Sequence, residues 1–357
     1  VAMAGSAVGL GNLWRFPYLV GENGGAAFII VYIVLCFVIC LPIFISEFIV
    51  GRRSQKNAYA AFRDLSGGSA WKWVGLTAIF VPTVVLSYYS VIGGWSIEYL
   101  IKSLTLSFTQ GESQSAFSTM FGDYVSSTWA PLMAHAGFML VTALIVAVGI
   151  KKGIEKFSKV MMPLLFLIVI VIAVYALTLP GAGKGVEYLF NPDFSKIDGK
   201  AIAAALGQAF FSLSLGFGTI MTYASYVDKK ENIMLQSTAT AVSDLMFALI
   251  AGVAIMPAVF AFGIAPDSGP GLVFETLPYV FGQMPAGGVI AILFFIALLV
   301  AALTSSISML EVAVAYLVEE KGMSRKWACV VLFVICWVVG AVCSLSFGPL
   351  SHIQIGD

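Results

Sequence analysis

The sequence predicts an all-α polytopic membrane protein, on three observations. Of its 357 residues, 60% are hydrophobic and only 11% charged, with a mean hydropathy of +0.96; in soluble domains about a quarter of residues are charged. Apolar runs near the ~20 residues that cross a ~30 Å hydrocarbon core recur along the chain. Lys and Arg crowd into alternate loops, the bias that orients membrane spans.

The elements follow in order. The first span opens the chain and is interrupted: Gly5, Gly9 and Gly11 are followed at once by Asn12 and then Arg15. Uninterrupted runs occupy 26–50, 74–101, 129–150 and 157–179. The sixth span, 201–226, is interrupted by FFSLSLGFG, where Ser212 and Ser214 precede Gly216 and Gly218. Runs at 236–263, 287–318 and 326–346 complete nine predicted spans. Loops after the second, fourth, sixth and eighth carry 14 of the 19 basic residues: Arg52, Arg53, Lys56, Arg63, Lys72, Lys151, Lys152, Lys156, Lys159, Lys229, Lys230, Lys321, Arg325 and Lys326. Those loops are expected in the cytoplasm, together with the N-terminus.

Composition also excludes. All five cysteines lie in apolar spans, so they read as small packing residues rather than a disulfide framework. A formal net charge of zero gives no argument for nucleic acid. With only His135 and His352, and neither an HExxH nor a GxSxG motif, the usual hydrolytic sets of an enzyme are missing. A passive channel would want a ring of like groups or repeated filter carbonyls; the polar residues here form one asymmetric cluster.

An interruption in a span needs a cause. Glycine costs about 1 kcal/mol in a helix interior, and each unsatisfied backbone group in hydrocarbon costs several more. Close packing through small residues explains either break alone. The two breaks, however, fall at corresponding positions of two halves, 1–200 (spans one to five) and 201–357 (spans six to nine), within one transmembrane domain, 1–357. Five is odd, so the second half enters the membrane inverted, and such paired breaks point to a transporter's midplane site. Half-helix C-termini suit a hard cation; half-helix N-termini suit a carboxylate.

The runs AMAGSAVGLGNLWRFPYLVGENGG, KGIEKFSKVMMP, FFSLSLGFGTIMTYASY and LTSSIS resemble the neurotransmitter:sodium symporters, especially their bacterial amino-acid-transporting members. The resemblance spans essentially the whole chain. It implies the LeuT-type fold: twelve spans, a 5+5 inverted repeat and discontinuous first and sixth helices. Spans ten to twelve are not in this sequence, so a truncated member is expected.

The resemblance also implies sites. One sodium, shared with the substrate carboxylate, is expected at the Ala7 carbonyl, Asn12, Ser212 and Ser243, the last standing where many members have asparagine. A second is expected at the carbonyls of Gly5, Val8 and Ala301 and the hydroxyls of Thr304 and Ser305. Tyr32, Gln208, Ser212 and Ser243 match positions around the chloride of chloride-dependent members. Asp244, an acid in an apolar span, is expected to supply that negative charge, so two Na⁺ and no chloride are required. Amine-transporting members carry an aspartate where this chain has Gly9, so the substrate is expected to bring its own carboxylate, as an α-amino acid does. The substrate set is Gly9, Leu10, Gly11, Val85, Tyr89, Phe211, Ser212, Ser214, Phe217, Ser305 and Met309. None is charged, so a charged side chain would be buried unpaired and a hydrophobic or aromatic one is expected.

Arg15 with the lid of Tyr89 and Phe211 matches the outer gate. Glu319 and Tyr226 match the inner gate, with a solvated helix end the other reading of Glu319. Glu47 reads as a structural acid near the inner surface. The function expected is sodium-coupled symport of a neutral amino acid by alternating access at the plasma (inner) membrane, its partners being substrate, sodium and the bilayer. Transport of another small zwitterion on the same fold, or a passive channel, are the alternatives.

Overall fold

The computed structural model describes residues 2–108, 112–228, 230–265 and 269–353; Lys229, counted above among the cytoplasmic charges, lies outside them. The described residues are helical throughout, with short connections. In chain order the helices are α1 (Ala2–Ala7), α2 (Phe16–Glu22), α3 (Ala26–Leu35), α4 (Leu41–Ser54), α5 (Ala58–Leu65), α6 (Lys72–Leu104), α7 (Gln114–Ser126), α8 (Trp129–Val148), α9 (Lys156–Leu177), α10 (Ala182–Phe190), α11 (Gly199–Ser212), α12 (Thr219–Ser225), α13 (Ile233–Ala261), α14 (Thr276–Gln283), α15 (Gly287–Lys321) and α16 (Arg325–Leu345). Wider π turns at Gly11–Arg15, Cys36–Cys40 and Ile150–Glu155 lead into α2, α4 and α9.

Among the described residues, seven helical segments are long and apolar enough to cross a membrane: Ala26–Ser54, Lys72–Leu104, Trp129–Val148, Ile150–Leu177, Ile233–Ala261, Gly287–Lys321 and Arg325–Leu345. The other two predicted spans are the interrupted ones. Neither α1 and α2 nor α11 and α12 runs unbroken for the ~20 residues a crossing needs.

Packing sorts the helices into two groups. The long α6 and α15 lie against each other and against α8 and α16. The broken pairs lie with α3, α4 and α13, α11 on α3, α12 on α4, α1 and α2 on α13, while α1 and α12 also touch α15. Helix α9 touches both α13 and α15. Lipid-type faces, such as Val330, Val334 and Val338 on α16, stay exposed, because an apolar surround replaces water as their solvent. The two breaks meet between the groups, against α15.

Candidate functional site

The first break lies at Val8–Gly9, between α1 and the π turn. Two of the amides it frees find side chains: the Gly9 N–H donates to Asn12 Oδ1 (2.9 Å) and the Leu10 N–H to Tyr89 Oη (3.4 Å). Asn12 thus folds back on its own break, an Asx-type closure that a short amide side chain permits. The second break runs from Leu213 to Gly218, where Ser214, Gly216 and Gly218 have φ of 55°, 78° and 66°. At Gly218 a Cβ would also come within 2.8 Å of the Ala78 carbonyl, so glycine is required there for both conformation and close approach. Glu47 lies beside this second break: Gly216 N–H donates to its Oε1 at 2.8 Å. The expected structural, hydrogen-bonding acid thus acts on a helix break. Glu47 terminates freed backbone that no helix bonds.

The breaks are joined by a buried carboxylate. Asp244, fully buried on α13, accepts from Asn12 Nδ2 (2.8 Å) and Ser212 Oγ (2.7 Å) at Oδ1 and from Tyr32 Oη (3.4 Å) at Oδ2. Asn12 Nδ2 also reaches Ser212 Oγ (3.1 Å) and the Asp244 carbonyl (3.2 Å). Every side-chain donor to this carboxylate is neutral, and no ion pair among the described residues includes it. Ser243 is not in the cluster. One residue along an α-helix turns the side chain by about 100°, which leaves Ser243 half-exposed and swings Asp244 onto Asn12. The expected position of Ser243 is therefore taken by Asp244. Gln208 sits alongside, its Nε2 donating to the Gly11 carbonyl at 2.9 Å.

A second oxygen cluster joins α1 to α15. Thr304 Oγ1 bonds the carbonyls of Val8 (3.1 Å) and Ala301 (2.9 Å), and Ser305 Oγ donates to the Ser6 carbonyl (3.3 Å). Gly5 packs towards Ser158 and Met162 of α9. A side chain at Gly9 would collide with Ser305 Oγ, so the first break lies flush against α15.

Between the clusters is a small cavity lined by Ser6, Ala7, Gly9, Gly11, Tyr89, Phe211, Ser212, Ser214, Phe217, Ser305 and Met309. No lining residue is charged. Of the expected substrate set, Leu10 and Val85 are not in this lining: Leu10 offers its N–H to Tyr89, and Val85, one turn before Tyr89 on α6, is half-buried against the core. Ser6 is an addition the sequence did not single out. It lies between Gly5 and Ala7 without pattern or charge to mark it, and its Oγ is 3.4 Å from Ser214 Oγ across the two breaks.

The model of the sodium:neurotransmitter symporter family matches residues 1–127 and 119–353, which together cover nearly the whole chain. The chain belongs to the sodium:neurotransmitter symporter family. It is 42% identical over 358 residues to the uncharacterized sodium-dependent transporter YhdH of Bacillus subtilis, covering 99% of this chain and 78% of that protein. An uncharacterized sodium-dependent transporter of Haemophilus influenzae is 39% identical, over 91% of this chain and 73% of its own length. The crystal structure of MhsT in complex with L-phenylalanine superposes with a TM-score of 0.92 at 45% identity, covering 99% of this chain and 80% of that one. Membership makes the protein a sodium-dependent membrane transporter with a LeuT-like fold.

Above the symporter's cavity, the Arg15 guanidinium carbon lies 5.5 Å from the centre of the Phe211 ring, a cation–π contact over one wall. Below it, Tyr226 and Glu319 have separate partners. Tyr226 Oη donates to Glu311 Oε1 (2.9 Å), not to Glu319, and Glu311 is ion-paired with Arg325. Glu319 accepts from the backbone and side-chain amides of Asn57, both at 2.8 Å. Eight residues, just over two turns of α15, separate the two acids, so Tyr226 reaches only the deeper one. Glu311 was legible in principle, being an acid within the apolar run 287–318; Arg325 looked like one more loop charge.

Proposed function

We propose that this symporter couples sodium entry to uptake of a neutral, hydrophobic or aromatic α-amino acid by alternating access. The observation that carries the reading is Asp244: a buried carboxylate with neutral donors only, bonded to Asn12 at the edge of an uncharged cavity. A buried anion left without a counter-ion is costly, and Na⁺ is the hard cation that neutral oxygens and a carboxylate accommodate. Ala7, Asn12, Ser212 and Asp244 would hold one sodium next to the substrate carboxylate. Gly5, Val8, Ala301, Thr304 and Ser305 would hold the other.

Asp244 supplies the negative charge that chloride provides elsewhere in the family, so transport needs none. Gly9 leaves room for no competing acid, and the freed N–H groups of Leu10 and Gly11 favour a carboxylate. Tyr89 would bind that carboxylate, and the carbonyls around Phe211 and Ser214 the ammonium. Phe211, Phe217 and Met309 give the side chain an apolar surround. L-phenylalanine in MhsT, at 45% identity, supports an aromatic substrate. In this reading residues 1–200 and 201–357 are the inverted halves of one domain in the plasma membrane, with a cytoplasmic N-terminus, and Arg15 and Tyr226 with Glu311 close the outer and inner paths.

Proteoliposomes with an imposed sodium gradient test this. Uptake of a labelled neutral amino acid is expected with gluconate in place of chloride, and none when sodium is equal on both sides without a membrane potential. Uptake that needs chloride, or failure with every neutral amino acid, would overturn it.

A further inference from the structure

We propose that the crevice between α8 and α16 binds one acyl chain of an anionic phospholipid, with the lipid phosphate on Lys326. The crevice, about 430 Å³, is walled by apolar side chains, among them Leu140 and Val148 of α8 and Val330 and Phe333 of α16. Ala143 and Ala147, one turn apart on α8, give it depth. Lys326 is the only charged residue in the lining and joins no ion pair among the described residues.

Neighbouring charges divide the start of α16 in two. Arg325 turns inward, to Glu311 and to the Val146 carbonyl (2.8 Å). Lys326 faces the crevice mouth, where Ser324 provides no side-chain cap and the first N–H groups of α16 add positive potential. Trp327 beside it is 65% exposed, as an aromatic at the headgroup level is.

Dimensions favour a lipid over a water-soluble ligand. From Lys326 to Phe333, and from Leu140 to Val148, the crevice runs roughly 10–12 Å at 1.5 Å per residue. That is most of one leaflet of a ~30 Å core. Val148 and Leu144 are 62% and 58% exposed, so the wall opens sideways to the surround rather than to either aqueous face. An acyl chain fills such a trough, and an unpaired ammonium at its mouth selects a headgroup of net negative charge over a zwitterionic one that carries its own ammonium. The basic loops place this mouth on the cytoplasmic side, so the ligand comes from that leaflet; the amino-acid substrate plays no part.

The test is native mass spectrometry of the full chain released from detergent, titrated with phosphatidylglycerol and with phosphatidylcholine. The native protein is expected to hold one phosphatidylglycerol about fivefold more tightly, the effect of one lysine at an anionic surface. Lys326→Gln is expected to abolish the preference, and Ala147→Phe to weaken retention of both lipids. Sodium-dependent uptake unchanged in both variants shows that they are folded. Equal affinity for the two lipids, a preference surviving in Lys326→Gln, or retention unchanged in Ala147→Phe overturns the proposal. So does a dimer that excludes lipid from the crevice and is broken by Ala147→Phe, because the occupant would then be a second copy.

Discussion

Asp244 and Ser243 are neighbours in sequence with opposite surroundings, and the difference is testable. Asp244→Asn is expected to raise the sodium concentration for half-maximal uptake at least tenfold, the scale of losing a metal-site partner. Ser243→Ala is expected to change it less than about twofold, because that side chain turns away from Asn12. Sodium titrations of the two variants side by side check both. Gly9 gives a second residue-scale prediction: Gly9→Ala should cut amino-acid binding strongly, because a methyl there meets Ser305 Oγ. An amino-acid binding assay on this variant checks it. Asn12, Thr304 and Tyr89 were legible through the resemblance to the symporter family, whose site positions they match. The phase of α13, which decides between residues 243 and 244, was not, since a single residue sets it and the flanking apolar residues fit either way.

At the scale of elements, two helices are broken so that two clusters of oxygens can face each other, and side chains terminate the freed backbone: Asn12 at one break, Glu47 at the other. The inner end of α15 is fixed differently, by Glu311 with Arg325 and Tyr226. Removing one partner of a buried ion pair leaves an uncompensated charge, which costs about 3–5 kcal/mol. Arg325→Ala is therefore expected to lower the melting temperature markedly in detergent, and Arg325→Ala with Glu311→Gln to recover much of it. Glu319→Gln should cost less, since Glu319 accepts its two bonds from the neutral amides of Asn57. Melting curves of the three variants beside the native protein settle the order. The breaks were readable in the sequence from glycine clusters; the partners across helices were not, because pairs such as 226 with 311 have no local pattern.

At the scale of the whole molecule, the proposed symport draws its energy from ions. One sodium entering down 100 mV and a tenfold gradient sustains about a 500-fold amino-acid ratio; two sustain about 10⁵-fold. A steady-state accumulation in proteoliposomes well above 500-fold is expected, and a ceiling near that value would exclude two-ion coupling. The ion-pair network around Asp64 should not contribute to pH dependence. Arg63 and Lys56 bond Asp64 (2.8 and 2.6 Å) and hold its carboxyl down at about 2. A depressed carboxyl stabilises the fold fully above its unfolded pKa near 3.8 and loses that contribution only as pH falls towards 2. Asp64→Asn should therefore leave the uptake profile between about pH 5 and 8 unchanged.

The sequence by itself determined the membrane-spanning class, the order of the spans, the two interruptions and the residues around them, because hydrophobic length and glycine clusters are local properties. Tertiary structure alone decided which acid bonds Asn12, which acid meets Tyr226, and that Glu47 closes the second break. It also left Lys326 facing an apolar crevice. Those outcomes depend on helix phase and on approach between segments up to 232 residues apart, such as Asn12 and Asp244, where only packing brings donors and acceptors into contact.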